Sequence, residues 1–321
     1  MEHRRLGASD LDVSVLALGS WLTYGRSVDR ERARACVDAA FEVGIDLFDT
    51  ANVYGAGAAE AFLGEALASR PRHTYRLATK AYFPIDGEGG LSAAQVRKQS
   101  EASLRRLRTD YVDLYQCHRY DPDVALEETM GALTELVRSG KARYLGFSEW
   151  TVDQMAAASA IADVEPFVSS QPEYSMLWRK PEPDVFPYCA AHGIGQIVWS
   201  PLAQGALTGK YRPGQPPPEG TRASSPDGER FMGRFRSDEV LSAVDRLRPI
   251  AADLGLSMAQ LALAWVLRQP SVTAAIVGAT RPEQVRENAG AVGTTLDDDV
   301  LAAIDVALAG VVGPFPGDDG D

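Results

Sequence analysis

Short apolar runs alternate along this chain with segments whose apolar residues recur at helical spacing. Residues 4–15 hold two short segments around Ala8-Ser9-Asp10 and read as a β-hairpin. A first core strand follows over 15–19, then a helix from its cap Asp29 to about 43, with Gly44 as its stop. The apolar run 46–49 reads as a buried strand, and 58–69 as the next helix. From there strands and helices take turns. Strands fall at 75–79, 111–117, 142–147, 167–170, 196–199 and 272–277. Helices fall at 92–107, 124–138, 152–161, 182–191, 238–254, 258–268, 282–291 and 298–308. Eight strand-then-helix units imply a parallel sheet, and eight favour closure into a (β/α)8 TIM barrel. The reading is one barrel domain over 1–321, α/β in class, with an N-terminal β-hairpin and extra C-terminal helices.

In such barrels function gathers where the strands end. The residues at those ends are Ser20, Asp49, Lys80, His118, Ser148, Gln171, Ser200 and Gly278. All but the glycine are polar or charged, although the runs before them are largely apolar. Asp49, Lys80 and His118 end three successive strands and should lie side by side on one rim. A carboxylate at a core's edge is costly unless a cation meets it. Tyr54 stands five residues beyond Asp49 on the following loop. An ammonium near a phenol favours the phenolate, so Lys80 is expected to lower the pKa of Tyr54. Asp49 would keep Lys80 charged, Tyr54 would act as general acid toward a developing alkoxide, and His118 would hydrogen-bond the same oxygen. The four histidines are scattered without paired ligand spacing, so no metal site is expected. Carbonyl polarisation of this kind suggests hydride transfer from a bound cofactor. Gly55-Ala56-Gly57 has Glu60 where a dinucleotide fingerprint needs its third glycine, and is read as a loop and helix start. Phosphates would instead sit on the loops after the seventh and eighth strands: 200–210, with its hydroxyls and Lys210, and Gly278-Ala279-Thr280-Arg281-Pro282, which leads into a helix N-terminus.

Composition changes this picture only by exclusion. A net charge of −12 disfavours nucleic acid and anionic membranes as partners. No run is long enough to span a bilayer, and no signal peptide is read at the start. Cys36, Cys117 and Cys189, odd in number and widely spaced, suit reduced thiols in a cytoplasmic protein. Cys117 does not pair with His118, because adjacent strand residues point to opposite faces.

The motifs Leu47-Phe48-Asp49-Thr50-Ala51 with Tyr54, Thr79-Lys80, Gly146-Phe147-Ser148, Gln171-Pro172-Glu173-Tyr174, Trp199-Ser200-Pro201-Leu202 and Gly278-Ala279-Thr280 with Glu287-Asn288 carry a family resemblance. From Leu6-Gly7 to about Ala291 the chain resembles the aldo-keto reductases, most closely the branch of the potassium-channel beta subunits and their bacterial relatives. The resemblance implies an NADP(H)-dependent reductase of carbonyl compounds. It implies a catalytic tetrad of Asp49, Tyr54, Lys80 and His118, and nicotinamide amide contacts from Ser148 and Gln171 with Trp199 beside the ring. It implies pyrophosphate contacts from Ser200, Leu202, Gly205 and Lys210, and adenosine contacts from Gly278, Thr280, Gln284, Glu287 and Asn288. Ser20, Trp21 and Asp49 are placed with the cofactor contacts. Arg281, the only cation of its turn, is read as a guanidinium for the 2′-phosphate. Many family members have asparagine where this chain has Glu149, and many reductases have arginine where it has Gln284. The channel-subunit branch shares the glutamine but lacks a histidine matching His118.

Two further functions stay open beside the reductase: a cofactor-binding, redox-sensing regulatory subunit with slow turnover, and a barrel enzyme of phosphorylated metabolites. The expected substrate is a small carbonyl compound, and a homo-oligomer is left open. Residues 205–236, rich in Pro, Gly and Ser, are expected to form a mobile lid, and the acidic end 317–321 to be disordered.

Overall fold

The computed structural model describes residues 1–24, 28–224 and 231–313. The expected acidic tail lies outside them, as do residues 225–230 of the expected lid. Strands β1 (His3–Arg5) and β2 (Asp12–Ser14) form the antiparallel hairpin. Eight further strands follow: β3 (Leu16–Gly19), β4 (Leu47–Asp49), β5 (Arg76–Ala81), β6 (Val112–Cys117), β7 (Ala142–Phe147), β8 (Phe167–Ser170), β9 (Gly195–Val198) and β10 (Val272–Gly278). They close in sequence order into a parallel barrel, with β10 returning to β3.

Alternation along each strand divides the core. Ala17, Leu47, Ala78, Leu114, Val168, Ile197 and Ala274 form an inner cluster with Leu6, Leu11 and Val13 of the hairpin region. Residues one step away, such as Leu77, Tyr115 and Cys117, join the larger cluster that packs the helices on the barrel wall. Two residues beyond Ala78 and Leu114 come Lys80 and Gln116, which pair in register. The interior therefore turns from apolar to polar toward the strands' C-terminal ends. Gly146 makes room there, since a Cβ on it would stand 3.2 Å from Gln116 Cγ and 2.9 Å from the Ser169 carbonyl oxygen.

The expected helices form with their caps. Asp29 and Ser92 each accept a backbone N–H at the start of α1 (Arg30–Glu42) and α3 (Ala93–Leu107), which flank α2 (Ala58–Leu67). Two helices depart from expectation. The sixth begins at Val185, where Asp184 caps it, and not near 182. The helix expected over 238–254 is two, Asp238–Asp245 and Leu247–Asp253. Pro249 explains the break: it has no N–H for a continuous ladder, and restarting the helix puts it in a first turn. Among the described residues, no single helix is long and apolar enough to cross a membrane.

Leu6 is fully buried and seals the hairpin end of the inner cluster. Leu6→Ala should destabilise the fold by about 2 to 5 kcal/mol, the range for a buried leucine truncation. Urea unfolding measures it; a midpoint unchanged from the parent chain would mean that the hairpin does not seal the barrel.

Candidate active site

Asp49 and Lys80 lie at the polar end of the barrel, both buried. Lys80 Nζ donates to Asp49 Oδ1 at 2.6 Å and to the Thr50 carbonyl at 2.8 Å. The other carboxylate oxygen of Asp49 accepts from Gln171 Nε2 at 3.0 Å. Burial pushes the Lys80 ammonium below its usual pKa, and Asp49 is the main opposing influence. The backbone of Asp49 is held in turn: the Ser20 hydroxyl lies 3.2 Å from its carbonyl oxygen and 2.8 Å from Thr50 Oγ1, in hydrogen-bond reach of both.

Tyr54 and His118 stand over this pair. Their rings meet edge to face with centroids 5.7 Å apart, and Lys80 Nζ lies 5.3 Å from the Tyr54 centroid. The expected lowering of the Tyr54 pKa is overturned. Burial, then the Asp49 carboxylate, push the phenol well above its usual value, with Arg119 opposing. Burial is the first reason; the second is the ion pair, in which a carboxylate 2.6 Å from the ammonium offsets its field at the phenol. His118 is driven well below the usual histidine range by burial and by the nearby charges of Lys80 and Arg119, so it is a neutral imidazole. Its Nδ1 is buried with no partner among the described residues. Cys117 belongs to the cluster on the outer wall, facing away from His118 as expected.

Farther round the rim, the Ser148 hydroxyl donates to the Gln171 carbonyl at 2.8 Å. Glu149, in left-handed backbone at φ 59°, has a role the sequence does not reveal. Its Oε1 accepts from Trp199 Nε1 at 2.8 Å and from the Glu173 backbone N–H at 2.6 Å, which fixes the indole at the mouth. Trp21 meets Trp199 at 6.4 Å and Phe231 at 4.7 Å, so three aromatic rings from three loops form one wall. Arg222, also missed, lies 5.5 Å from the Trp21 ring and donates to the Gln204 side chain.

The loop after β9 is shaped for an anion. Ser200, Ala203, Gln204 and Gly205 all have left-handed backbone, which makes a concave nest. Leu202 lies within this loop, and a Cβ on Gly205 would stand 3.3 Å from Lys210 Nζ. After β10, the helix Pro282–Ala289 begins with Arg281 as N-cap and proline in its first turn. A helix N-terminus there offers backbone N–H groups that an anion could accept from. Gly278 presents open space, its nearest neighbour to an added Cβ being Thr23 Cγ2 at 3.9 Å. Two such positions on neighbouring strand ends fit an extended ligand with phosphates along it. Thr280, expected as an adenosine contact, has its own donors committed: its N–H and hydroxyl both go to Gln284 Oε1, at 2.8 and 3.2 Å. Arg281 and Glu287 are exposed, and Asn288 is buried behind them.

A profile described as the aldo/keto reductase family matches residues 15–309. A protein of Arabidopsis thaliana named "Probable voltage-gated potassium channel subunit beta" is 40% identical over 301 residues, covering 91% of each chain. A protein of the same name from Oryza sativa subsp. japonica is 38% identical over 297 residues, covering 90% of each.

The neutral state of His118 has a consequence for stability. The unfolded chain takes up a proton on this residue below about pH 6.5, and the folded chain refuses it. Stability from this residue is thus present above that pH and is lost as pH falls toward the depressed folded value. The loss should grow as pH falls below about 6.5, and His118→Gln should remove that part of the acid loss. Unfolding free energies of both proteins at neutral and mildly acid pH check it; equal acid losses would show that the imidazole is not held neutral.

Proposed function

The chain belongs to the aldo/keto reductase family, and from that premise we propose that it is an NADP(H)-dependent reductase of aldehyde or ketone carbonyls. One observation carries the reading: Tyr54 and His118 face each other directly above a buried Lys80–Asp49 pair. When bound, the reduced nicotinamide supplies the hydride. Tyr54, kept protonated by burial and by Asp49, gives its proton to the carbonyl oxygen as charge develops there. Neutral His118 hydrogen-bonds the same oxygen without competing for the proton. Lys80 holds positive charge close to the phenol, and Asp49 holds Lys80. Ser148 and Gln171 orient the nicotinamide amide, with Trp199 beside the ring, and Ser20 and Trp21 close that side. Ser200, Leu202, Gly205 and Lys210 hold the pyrophosphate. Gly278, Thr280, Gln284, Glu287 and Asn288 line the adenosine end, where Arg281 reads the 2′-phosphate. The three cysteines are free and buried, which fits a reducing compartment such as the cytoplasm.

A second reading takes its support from the names of the relatives: a cofactor-binding subunit that turns over slowly and assembles with a channel. Turnover on a panel of aldehydes separates the two readings, since a regulatory subunit would bind NADPH but reduce the panel poorly.

Tyr54→Phe removes the proton donor and little else. Carbonyl reduction should fall by roughly 10² to 10⁴, the share that acid–base catalysis supplies, while NADPH affinity stays near its starting value. Steady-state rates alongside a fluorescence titration test this, and near-normal turnover would end the tetrad assignment.

Arg281→Ala should weaken NADPH binding by about 1.5 to 3 kcal/mol, the range for hydrogen bonds to a charged group, and scarcely move NADH. Titrating both cofactors against both proteins decides it. Equal weakening of the two would mean that Arg281 only holds the turn.

A further inference from the structure

We propose that Arg119 selects the substrate, and that the carbonyl compounds this site takes carry a carboxylate. The proposal rests on the reductase reading above. Arg119 directly follows His118 at the end of β6 and is half-buried. Its Nη1 donates to the His118 carbonyl at 2.6 Å and reaches Ser148 Oγ at 3.5 Å. The guanidinium lies 5.5 Å from the Phe83 ring centroid, and that ring lies 4.9 Å from His118. Tyr54, His118, Phe83 and Arg119 therefore form one continuous wall, with the proton donor at one end and a cation at the other.

Among the described residues that cation has no counter-charge. Asp49 is taken by Lys80 and Gln171, and Glu149 by Trp199 and the Glu173 N–H. Asp121, two residues on, accepts from the backbone of Leu91 at 2.7 Å and of Asp123 at 3.1 Å. Among the described residues Arg119 makes no ion pair, although acidic residues outnumber basic ones by 44 to 32 in the chain. Both of its hydrogen bonds leave through Nη1, so Nε and Nη2 remain for a ligand, the paired fork that a carboxylate fits. An unpaired guanidinium here also burdens the site. Its field opposes the positive charge of Lys80 and lowers His118 further. An anionic substrate would cancel that field. The cofactor's phosphates are not the anion in question: their nests follow β9 and β10, and β10 lies opposite β6 in the eight-strand ring.

The test compares 4-carboxybenzaldehyde with 4-methylbenzaldehyde as substrates, with NADPH, in the parent chain, Arg119→Gln and Arg119→Lys. The readout is the ratio of the two kcat/KM values within each protein, so a general change in rate cancels. The parent chain should favour the carboxylate, chiefly through KM. Arg119→Gln should lower the ratio roughly ten- to hundred-fold, as loss of a charge-assisted hydrogen bond does, and Arg119→Lys less. A ratio unchanged in Arg119→Gln, or a parent preference for the methyl compound, overturns the proposal. If the parent chain reduces neither aldehyde, the reductase reading fails, and calorimetric titration of benzoate with NADP⁺ present decides the anion site. Benzoate binding that is lost in Arg119→Gln supports the site; binding equal in both proteins, or absent from the parent chain, overturns it.

Discussion

The Lys80–Asp49 ion pair is the constraint on which the functional end of this barrel depends. Both groups are buried, and each charge taken from water costs several kcal/mol before its partner repays any of it. The pair persists because its own two charges are hydrogen-bonded on every side the barrel offers. Lys80 also donates to the Thr50 carbonyl, and Gln171 reaches the second oxygen of Asp49 from four strands away. Replacing a buried ion pair by well-packed apolar side chains is often neutral or stabilising. The lower interior, filled by Leu47, Ala78 and Leu114, is built that way. The switch from apolar Leu47 and Ala78 to charged Asp49 and Lys80, two residues on, is therefore a cost in stability that the fold accepts at its C-terminal end.

Supports radiate from that pair, and they are themselves buried and polar. Glu60, wholly enclosed, accepts from Thr79 at 2.5 Å, the residue before Lys80, and from Arg106 at 2.6 Å. Arg106 in turn packs on Gly57, where a Cβ would stand 2.8 Å from its Cδ. Gly57 has φ 90° and closes the turn that carries Tyr54, so a larger residue would meet both a clash and backbone strain. One carboxylate thus ties the strand bearing Lys80 to the loop bearing Tyr54. Glu149 does the same on the far rim, joining the Trp199 indole to the backbone after β8.

The strands and most helices were legible because a parallel barrel demands nearly continuous apolar strands, and all but the last were read as ending in an abrupt polar residue. Asp49, Lys80 and His118 could be read from that punctuation alone. What lay one residue farther could not. Arg119 and Glu149 follow strand-end residues, and no local pattern tells a reacting group from the support beside it. The fate of Thr280 depended on whether Gln284 would fold back upon it, a side-chain choice within one turn. The direction of the Tyr54 shift failed for a different reason. It was judged from one neighbour, Lys80, whereas the structure supplies burial and a second charge that outweigh it.

That reversal bears on which way the proposed chemistry runs. Reduction needs a phenol that still holds its proton at neutral pH, and a raised pKa guarantees the donor form across that range. A very high pKa also makes a weak acid, which slows the transfer. Arg119 is the one charge that pulls the phenol down, and it does so from the wall where the substrate would lie. An anion bound there would screen Arg119 and leave Tyr54 the more firmly protonated. The same anion would ease the burden on Lys80, whose charge Arg119 opposes, and so strengthen the ammonium beneath the phenol. Binding and acidity would then be coupled through one guanidinium.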